Sequence, residues 1–283
     1  MLVPIVLGLI QFRVGHDGIV SYAGLLPLTA GLCAVAMVIL ISRRVLWWAT
    51  LAALLYSFAL VTYETVLLFV PIMIAFVVWK RRSWRPALAL AIPAFAEGMI
   101  VVILRSRPRG QPAPRYTINL DPQTVLHTFA KQVLPAFPVS QWALAPDTMP
   151  AISAGAVAIG LLVAGASTFL AVLSLGRLHV GASRAEVIAI TIFGALMWLS
   201  SSALVAVTVR WQLELHRGQG YLPLVFGYFG LGLCLLALLL QVERIMQGRS
   251  PRAIAAWRYV SASSVAIVVA LTLAGNLVVA SLP

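Results

Sequence analysis

The sequence predicts an all-α protein that crosses a membrane several times. Of its 283 residues, 61% are hydrophobic and only 10% are charged, and the mean hydropathy is +0.99. A soluble domain is about 45–50% apolar and about 25% charged. Apolar runs of about twenty residues, the length that crosses a bilayer, also recur along the chain. We therefore predict one integral membrane domain over residues 1–283, and the composition excludes disordered, collagen-like and disulfide-rich secreted proteins.

The apolar runs define eight predicted spans. The run 45–79 would form a helix of roughly 50 Å, too long for a core of about 30 Å, so we divide it into two short helices meeting near residues 62–64. The basic residues that flank this run favour a hairpin with both ends on one side. The predicted spans are 19–41, the two halves of 45–79, 86–104, 151–175, 187–209, 221–240 and 259–280.

The chain begins with an apolar stretch that is too short to be a span. Met1 leads directly into about ten apolar residues, with no basic segment typical of a signal peptide. A bilayer needs about twenty. We therefore expect a partial helix here and an N-terminally truncated chain.

The net charge of +12 is assigned to orientation and anionic lipid, and not to nucleic acid. If the loop at 80–85 is inside, twelve basic residues lie inside and eight outside, which agrees with the positive-inside rule. The inside set is Arg43, Arg44, Lys80, Arg81, Arg82, Arg85, Arg177, Arg184, Arg244, Arg249, Arg252 and Arg258. The outside set is Arg13, Arg105, Arg107, Arg109, Arg115, Lys131, Arg210 and Arg217.

The longest outer loop, residues 105–150, has two predicted parts. Prolines in 105–115 predict an extended stretch. Asp121 followed by Pro122 is typical of a helix start. Apolar residues at steps of three and four then predict an amphipathic helix over about 121–137 that lies on the membrane surface. The residues of this apolar stripe are Leu126, Phe129, Val133 and Phe137.

Two carboxylates stand inside or beside predicted spans. Glu64, next to Tyr63, falls at the outer mouth of the hairpin and could line an outward-facing cavity or pair with a neighbouring arginine. Glu97 lies deep in span four, shortly after Pro93. It could serve as a proton or ion site, or as a neutral carboxyl hydrogen-bonded to another helix. Ionisable groups in membranes are candidates for functional sites.

The outer arginines are candidates for a phosphate site, because guanidinium groups bind phosphate through paired hydrogen bonds. The alternative is a solvated loop near anionic headgroups. His216 could transfer a proton in the same place. The candidate phosphate ligands are Arg105, Arg107, Arg109, Arg115, Arg210 and Arg217.

Other motifs narrow the chemistry. His16 and Asp17 form one possible acid–base pair in the first outer loop. No metal-binding or nucleotide-binding motif is recognisable, so we expect no metal and no cofactor. Gly227, Gly230 and Gly232 predict close packing of helices and not a nucleotide loop.

Four stretches resemble bacterial polytopic membrane glycosyltransferases of the GT-C type, in their C-terminal part. The stretches are 11–22 (from Gln11-Phe12-Arg13 through His16-Asp17 to Ser21-Tyr22), 56–64, 134–142 (LPAFPVSQW) and 220–223 (Gly-Tyr-Leu-Pro). Together they span most of the chain, as diffuse patterns.

The resemblance implies a multi-pass enzyme of the cytoplasmic membrane. It implies transfer of a sugar from a polyprenyl-phosphate donor to a glycan, lipid or protein acceptor on the outer side. Asp17 would be the base in this chain, with Glu64 lining the cavity and the arginines holding the donor phosphate. Relatives are longer and carry the catalytic acid after their first span, so we also expect that residue to lie upstream and this chain to be inactive alone.

Two alternatives share the same features. An O-antigen ligase or polymerase would also have many spans and arginines in outer loops, but would use a lipid-linked glycan. A transporter would use Glu97 near the midplane and the broken run 45–79. Polar residues that gather outside the membrane and the lack of an internal repeat count against the transporter.

Overall fold

The computed structural model describes residues 2–11, 25–62, 64–106, 118–144, 153–177, 183–218, 220, 224–246 and 249–280. Within these ranges every regular element is a helix, and the only strand-like pairing is an isolated bridge between Ile118 and Thr208. This confirms the all-α class. The chain divides into two compact units, residues 18–117 and residues 1–17 with 118–283.

The helices are numbered in chain order. They are α1 Leu2–Leu9, α2 Leu25–Ser42, α3 Leu46–Thr62, α4 Val70–Arg81, α5 Leu88–Ser106, α6 Pro122–Val133, α7 Ser140–Leu144, α8 Ala154–Arg177, α9 Arg184–Ala206, α10 Val209–Glu214, α11 Leu224–Met246 and α12 Pro251–Ala280. Short 3₁₀ turns occupy Glu64–Phe69, Arg85–Ala87 and Leu134–Ala136.

The unit of residues 18–117 contains the predicted hairpin. The long apolar run breaks where expected, because α3 ends at Thr62 and a 3₁₀ turn leads into α4. The Arg81 guanidinium donates a hydrogen bond of 3.3 Å to the carbonyl of Ile41 near the end of α2. The basic ends of α2 and α4 therefore lie close together, and the hairpin across a membrane stays a prediction.

The other unit is a bundle of α1, α8, α9, α11 and α12. Helix α9 packs along α11, α8 packs along α12, and α1 contacts both α11 and α12. The surface of these helices carries large apolar side chains, such as Leu162 on α8, which is 75% exposed. Exposed leucines on long apolar helices are expected where lipid replaces water.

Three helical stretches in the described residues are long and apolar enough to cross a membrane: Arg184–Ala203, Leu224–Met246 and Arg252–Val279. The sequence predicted eight. The stretches Leu28–Ser42, Leu46–Thr62 and Val157–Ala171 are apolar but shorter. The 3₁₀ turn Glu64–Phe69 shortens the helices of the 45–79 run. Predicted spans 19–41 and 151–175 begin in residues outside the described ranges, and predicted span 86–104 is not among these stretches.

Helices α11 and α12 extend beyond their predicted ends. The sequence placed a basic loop over residues 241–258, but α11 continues to Met246 and α12 begins at Pro251. Charged residues are good helix formers, so they mark the end of the apolar span without ending the helix.

Close approach of α9 and α11 depends on two glycines. A Cβ atom added to Gly194 would lie 2.6 Å from the carbonyl oxygen of Gly230, and one added to Gly230 would lie 2.5 Å from the backbone nitrogen of Trp198. Gly227 and Gly232 also face neighbouring side chains at 3.0–3.3 Å. The sequence prediction that these glycines serve helix packing is confirmed.

Substitution of Gly230 by alanine should therefore separate α9 from α11. We expect Gly230→Ala to lower stability by about 1–3 kcal/mol, because the new methyl group meets backbone and not a mobile side chain. Thermal unfolding in detergent measures the change. Gly165→Ala on α8, where an added Cβ has no neighbour within 4 Å, is the matched control. Equal midpoints for the two variants would contradict the packing account.

Candidate functional site

A buried polar network surrounds the end of α1. The carbonyls at a helix C-terminus have no partner within the helix, so in apolar surroundings they need side-chain donors. Thr272 donates a hydrogen bond of 2.7 Å to Gly8, and Asn276 donates one of 2.9 Å to Ile10. The Tyr228 hydroxyl donates one of 3.1 Å to the carbonyl of Gln11. Side chains of α11 and α12 thus donate the hydrogen bonds that the carbonyls at the end of α1 lack within their own helix.

Gln11 joins this network to the segment 134–144. Its side chain is buried, and its amide nitrogen donates to the carbonyls of Phe137, at 2.7 Å, and Pro135, at 3.4 Å. Its amide oxygen accepts hydrogen bonds of 3.2 Å from the Ser140 hydroxyl and 3.1 Å from the Gln141 backbone N–H. The neutral side chain of Gln11 therefore holds the irregular segment 134–144 in place between the helices.

The same segment reaches α12 through Gln141. The Gln141 amide nitrogen donates to the carbonyl of Thr272 at 3.3 Å. A Cβ atom at Gly275 would overlap this amide, so a side chain there would displace the Gln141 amide from its hydrogen bond. Part of the predicted outer loop is thus packed into the bundle, with Pro135, Ala136, Ser140 and Gln141 buried.

A second cluster joins two predicted outer loops. The Asn119 backbone N–H donates to the carbonyl of Val207 at 3.0 Å. Two further bonds involve the Gln212 side chain, because Asn119 Nδ2 donates to Gln212 Oε1 at 3.0 Å and Gln212 Nε2 donates to the main-chain carbonyl of Asn119 at 3.1 Å. We call residues 118–133 together with 207–217 the paired loops. They lie at one end of α9, as their shared outer location in the sequence prediction requires.

Helix α6 begins as the sequence predicts. Asp121 is the N-cap, and its carboxylate accepts hydrogen bonds of 2.5 Å from the Thr124 hydroxyl and 2.9 Å from the Thr124 backbone N–H. Pro122 occupies the first turn. The hydrogen bonds from Thr124, first from its hydroxyl and then from its backbone, hold the pKa of Asp121 below its usual value.

The apolar stripe predicted over 121–137 is not exposed along its whole length. Val133 is buried, whereas Leu126 is 68% exposed, and Phe137, 41% exposed, lies beyond the end of α6. The buried face instead carries Thr128 and Gln132, because α6 packs against α9 rather than lying on lipid alone. The prediction of one lipid-facing stripe is wrong at Val133.

The cluster around α10 contains three of the predicted site residues. Arg210 forms an ion pair of 3.0 Å with Glu214, and its guanidinium lies 4.7 Å from the centre of the Trp211 ring. His216 and Arg217 are exposed immediately after α10. Arg210 is therefore engaged within its own helix, and Arg217 is the more accessible cation of the two.

The remaining predicted site residues belong to the other unit or lie outside the described residues. Glu64 begins the 3₁₀ turn after α3, Arg105 lies in the last turn of α5, and Glu97 is half-buried in α5. His16, Asp17, Tyr63, Arg107, Arg109 and Arg115 lie outside the described ranges. Among the described residues, Arg210, His216 and Arg217 are the predicted site residues that lie in one cluster, around α10.

An ion pair links α11 and α12 near the short segment that joins them. Arg258 donates a hydrogen bond of 3.1 Å to Glu243, whose side chain is 8% exposed. Both residues lie outside the predicted spans 221–240 and 259–280. Removal of Arg258 would leave the buried carboxylate of Glu243 without this partner.

Sequence reasoning missed the neutral polar residues, since it searched for charges and motifs. Amide and hydroxyl side chains inside apolar runs were the available signal. Thr272 and Asn276 stand one helical turn apart in the last apolar run, the spacing that places both on one face. The missed residues are Gln11, Asn119, Gln132, Ser140, Gln141, Gln212, Thr272 and Asn276.

Among the residues that the structure describes, no group of three or more His, Cys, Asp or Glu side chains could hold a metal ion. No protein-family model, curated protein or solved structure matches the chain. The geometry of the paired loops and of the network at α1 is therefore the basis for any functional argument.

Removal of the Gln11 side chain should destabilise the bundle. Gln11→Ala leaves the buried Gln141 N–H without the Gln11 oxygen that accepts its hydrogen bond, and an unsatisfied buried group costs about 1–3 kcal/mol. It also removes the 2.7 Å hydrogen bond to the Phe137 carbonyl. Thermal or urea unfolding in detergent measures the loss. Gln123→Ala, at an exposed position on α6, is the control. Similar stability of the two variants would show that Gln11 does not hold the segment.

Asp121 should make the start of α6 sensitive to acid. Because the pKa of Asp121 is lowered in the folded state, its capping contribution is present at neutral pH and is lost as the pH falls through that lowered value. Hydrogen exchange of the Thr124 amide between about pH 3 and about pH 7, corrected for intrinsic rates, should show this loss. Asp121→Asn, which still caps but does not titrate, should remove the pH dependence.

Proposed function

We propose that the chain is a multi-pass protein of the cytoplasmic membrane with eight spans. Support comes from the composition, from the three helices of spanning length and from the shorter apolar helices beside them. Exposed leucines, valines and phenylalanines on these helices fit contact with lipid. In this arrangement the paired loops lie on the outer side and the Glu243–Arg258 pair on the inner side.

We further propose that the protein belongs to the GT-C-like glycosyltransferases, as a member or as part of one. It would transfer a sugar from a polyprenyl-phosphate donor to an acceptor of the cell envelope. The observation that carries the proposal is the pairing of the two loops through Asn119 and Gln212. This pairing connects residues 118–120, which follow the Arg105–Arg115 stretch in sequence, to the segment 207–217, which contains His216 and Arg217.

The chemistry of these residues suits a phosphate-bearing lipid. Arg217 is exposed beside the end of α10, so it is free to approach a headgroup. Arg210 is held by Glu214 and Trp211, so it would contribute positive potential more than a direct contact. In such an enzyme the arginines stabilise the negative charge that develops on the departing phosphate, and His216 can hold or release a proton.

Binding of a polyprenyl phosphate tests the phosphate site. Protein in nanodiscs would be titrated with polyprenyl phosphate and with the matching polyprenol, and complexes counted by native mass spectrometry. We expect Arg217→Ala to weaken binding of the phosphate form by about tenfold or more, because a charge-assisted hydrogen bond contributes about 1.5–3 kcal/mol. Binding of the polyprenol should not change.

Arg249→Ala is the matched control, an exposed arginine between α11 and α12 at the opposite end. If Arg217→Ala and Arg249→Ala bind the lipid equally, or if the alcohol binds as well as the phosphate, the phosphate site is refuted. Transfer of labelled sugar from a polyprenyl-phosphate donor into envelope extracts then tests catalysis. Transfer that survives Arg217→Ala together with Arg105→Ala would refute the arginine clamp.

A further inference from the structure

Four large apolar side chains are exposed on the paired loops. Ile118 is 67%, Leu120 is 71%, Leu126 is 68% and Leu213 is 74% exposed. None lies in a helix long enough to cross a membrane. We call these four residues the interfacial patch. Contact with lipid along a spanning helix does not explain the exposure of these four side chains, because they lie outside the spanning helices. Their exposure therefore needs a separate explanation.

The interfacial patch belongs to one fixed substructure. Ile118 pairs with Thr208 in an isolated bridge, and two hydrogen bonds join Asn119 to the Gln212 side chain. Leu120 and Leu213 are the next residues along the chain from that pair. Leu126 is held in α6, which packs against α9 and α10. The patch therefore cannot be attributed to a freely moving loop.

The patch also points away from the protein core. On α10, Trp211 and Leu215 pack with Val205 in a buried cluster. Leu213 lies two residues from each, so it stands on the opposite face of the helix. On α6, Leu126 lies two residues before Thr128, which is 1% exposed. Both leucines thus face out from helices whose other faces are buried.

The place of the patch in the fold indicates what covers it. Helix α9 has 23 residues, and at 1.5 Å per residue it is about 35 Å long, close to the thickness of a hydrocarbon core of about 30 Å. Helix α10 begins only three residues after α9 ends. The bridge to Thr208 and the Asn119–Gln212 pair hold Ile118 and Leu120 close to this end of α9. With α9 spanning the bilayer as proposed, this end of the helix would lie at the boundary between acyl chains and headgroups.

We infer that the interfacial patch inserts into the outer leaflet at the headgroup–acyl boundary and anchors the paired loops to the bilayer. The occupant is lipid. The inference rests on the proposed insertion of the bundle into a membrane, but it does not depend on sugar transfer. It differs from the stripe expected from sequence, because it includes Ile118, Leu120 and Leu213 and leaves out Phe129 and Val133.

Position-specific quenching tests the inference. The two cysteines, Cys33 and Cys234, are replaced by alanine, and single cysteines are introduced as Leu120→Cys, Leu126→Cys and Leu213→Cys. Each is labelled with bimane in nanodiscs of phosphatidylethanolamine and phosphatidylglycerol. Lipids with brominated acyl chains report contact with the bilayer, and iodide reports contact with water. Arg249→Cys is the aqueous control, and Ile267→Cys, exposed on α12, is the lipid control.

We expect brominated lipid to quench the three patch labels at least twofold more than the label at Arg249, and iodide to show the reverse order. Quenching of the patch labels by iodide alone would overturn the inference, because the patch would then face water. Protection from both quenchers would also overturn it, because protein, such as a second copy of the chain, would then cover the patch. No quenching by brominated lipid at Ile267 would refute insertion itself, and the inference with it.

Discussion

The need to satisfy backbone carbonyls in apolar surroundings governs the unit that contains α1. Helix α1 has only eight residues, so half or more of its carbonyls lack a partner within the helix. Side chains from α11 and α12 supply the missing donors. Gln11, which follows α1, forms hydrogen bonds with the segment 134–144. Gln11 and the Gln141–Thr272 hydrogen bond together hold the irregular segment between the helices. Close packing through Gly194 and Gly230 then adds the lateral contact of α9 and α11.

The end of the bundle that carries the paired loops is organised by a different kind of interaction. Two hydrogen bonds join Asn119 and Gln212 across a sequence separation of 93, one between their side-chain amides and one from the Gln212 amide to the Asn119 main-chain carbonyl. The Gln212 amide therefore acts as both donor and acceptor, which fixes orientation as well as distance. Charged groups at this end take local partners, as Arg210 does with Glu214. Neutral amide side chains thus hold the paired loops together, and Arg217 and His216 are exposed on their surface.

Much of the fold could be predicted from the sequence, and little of the site. Hydropathy alone indicates the all-α class, and helix length locates the break between α3 and α4. The Asp121-Pro122 start of α6 follows from capping chemistry. The length of each helix could not be obtained, because hydropathy locates a break in an apolar run but does not give the length of the 3₁₀ turn that replaces helix there. Gln11 and Gln141 were missed for a further reason. Gln11 acts through contacts with the segment 134–144 and α11, and Gln141 through a contact with α12. These contacts lie far along the chain, and no local pattern encodes them.

The partners of Gly8 and Ile10 have a consequence for biosynthesis. Thr272 and Asn276 lie 264 and 266 residues further along the chain, so they are synthesised long after Gly8 and Ile10. Until α12 has been made, the carbonyls at the end of α1 need other hydrogen-bond donors, such as water or the synthesis machinery. This part of the bundle therefore forms only after α12 is present, and a truncation that removes α12 would act on α1.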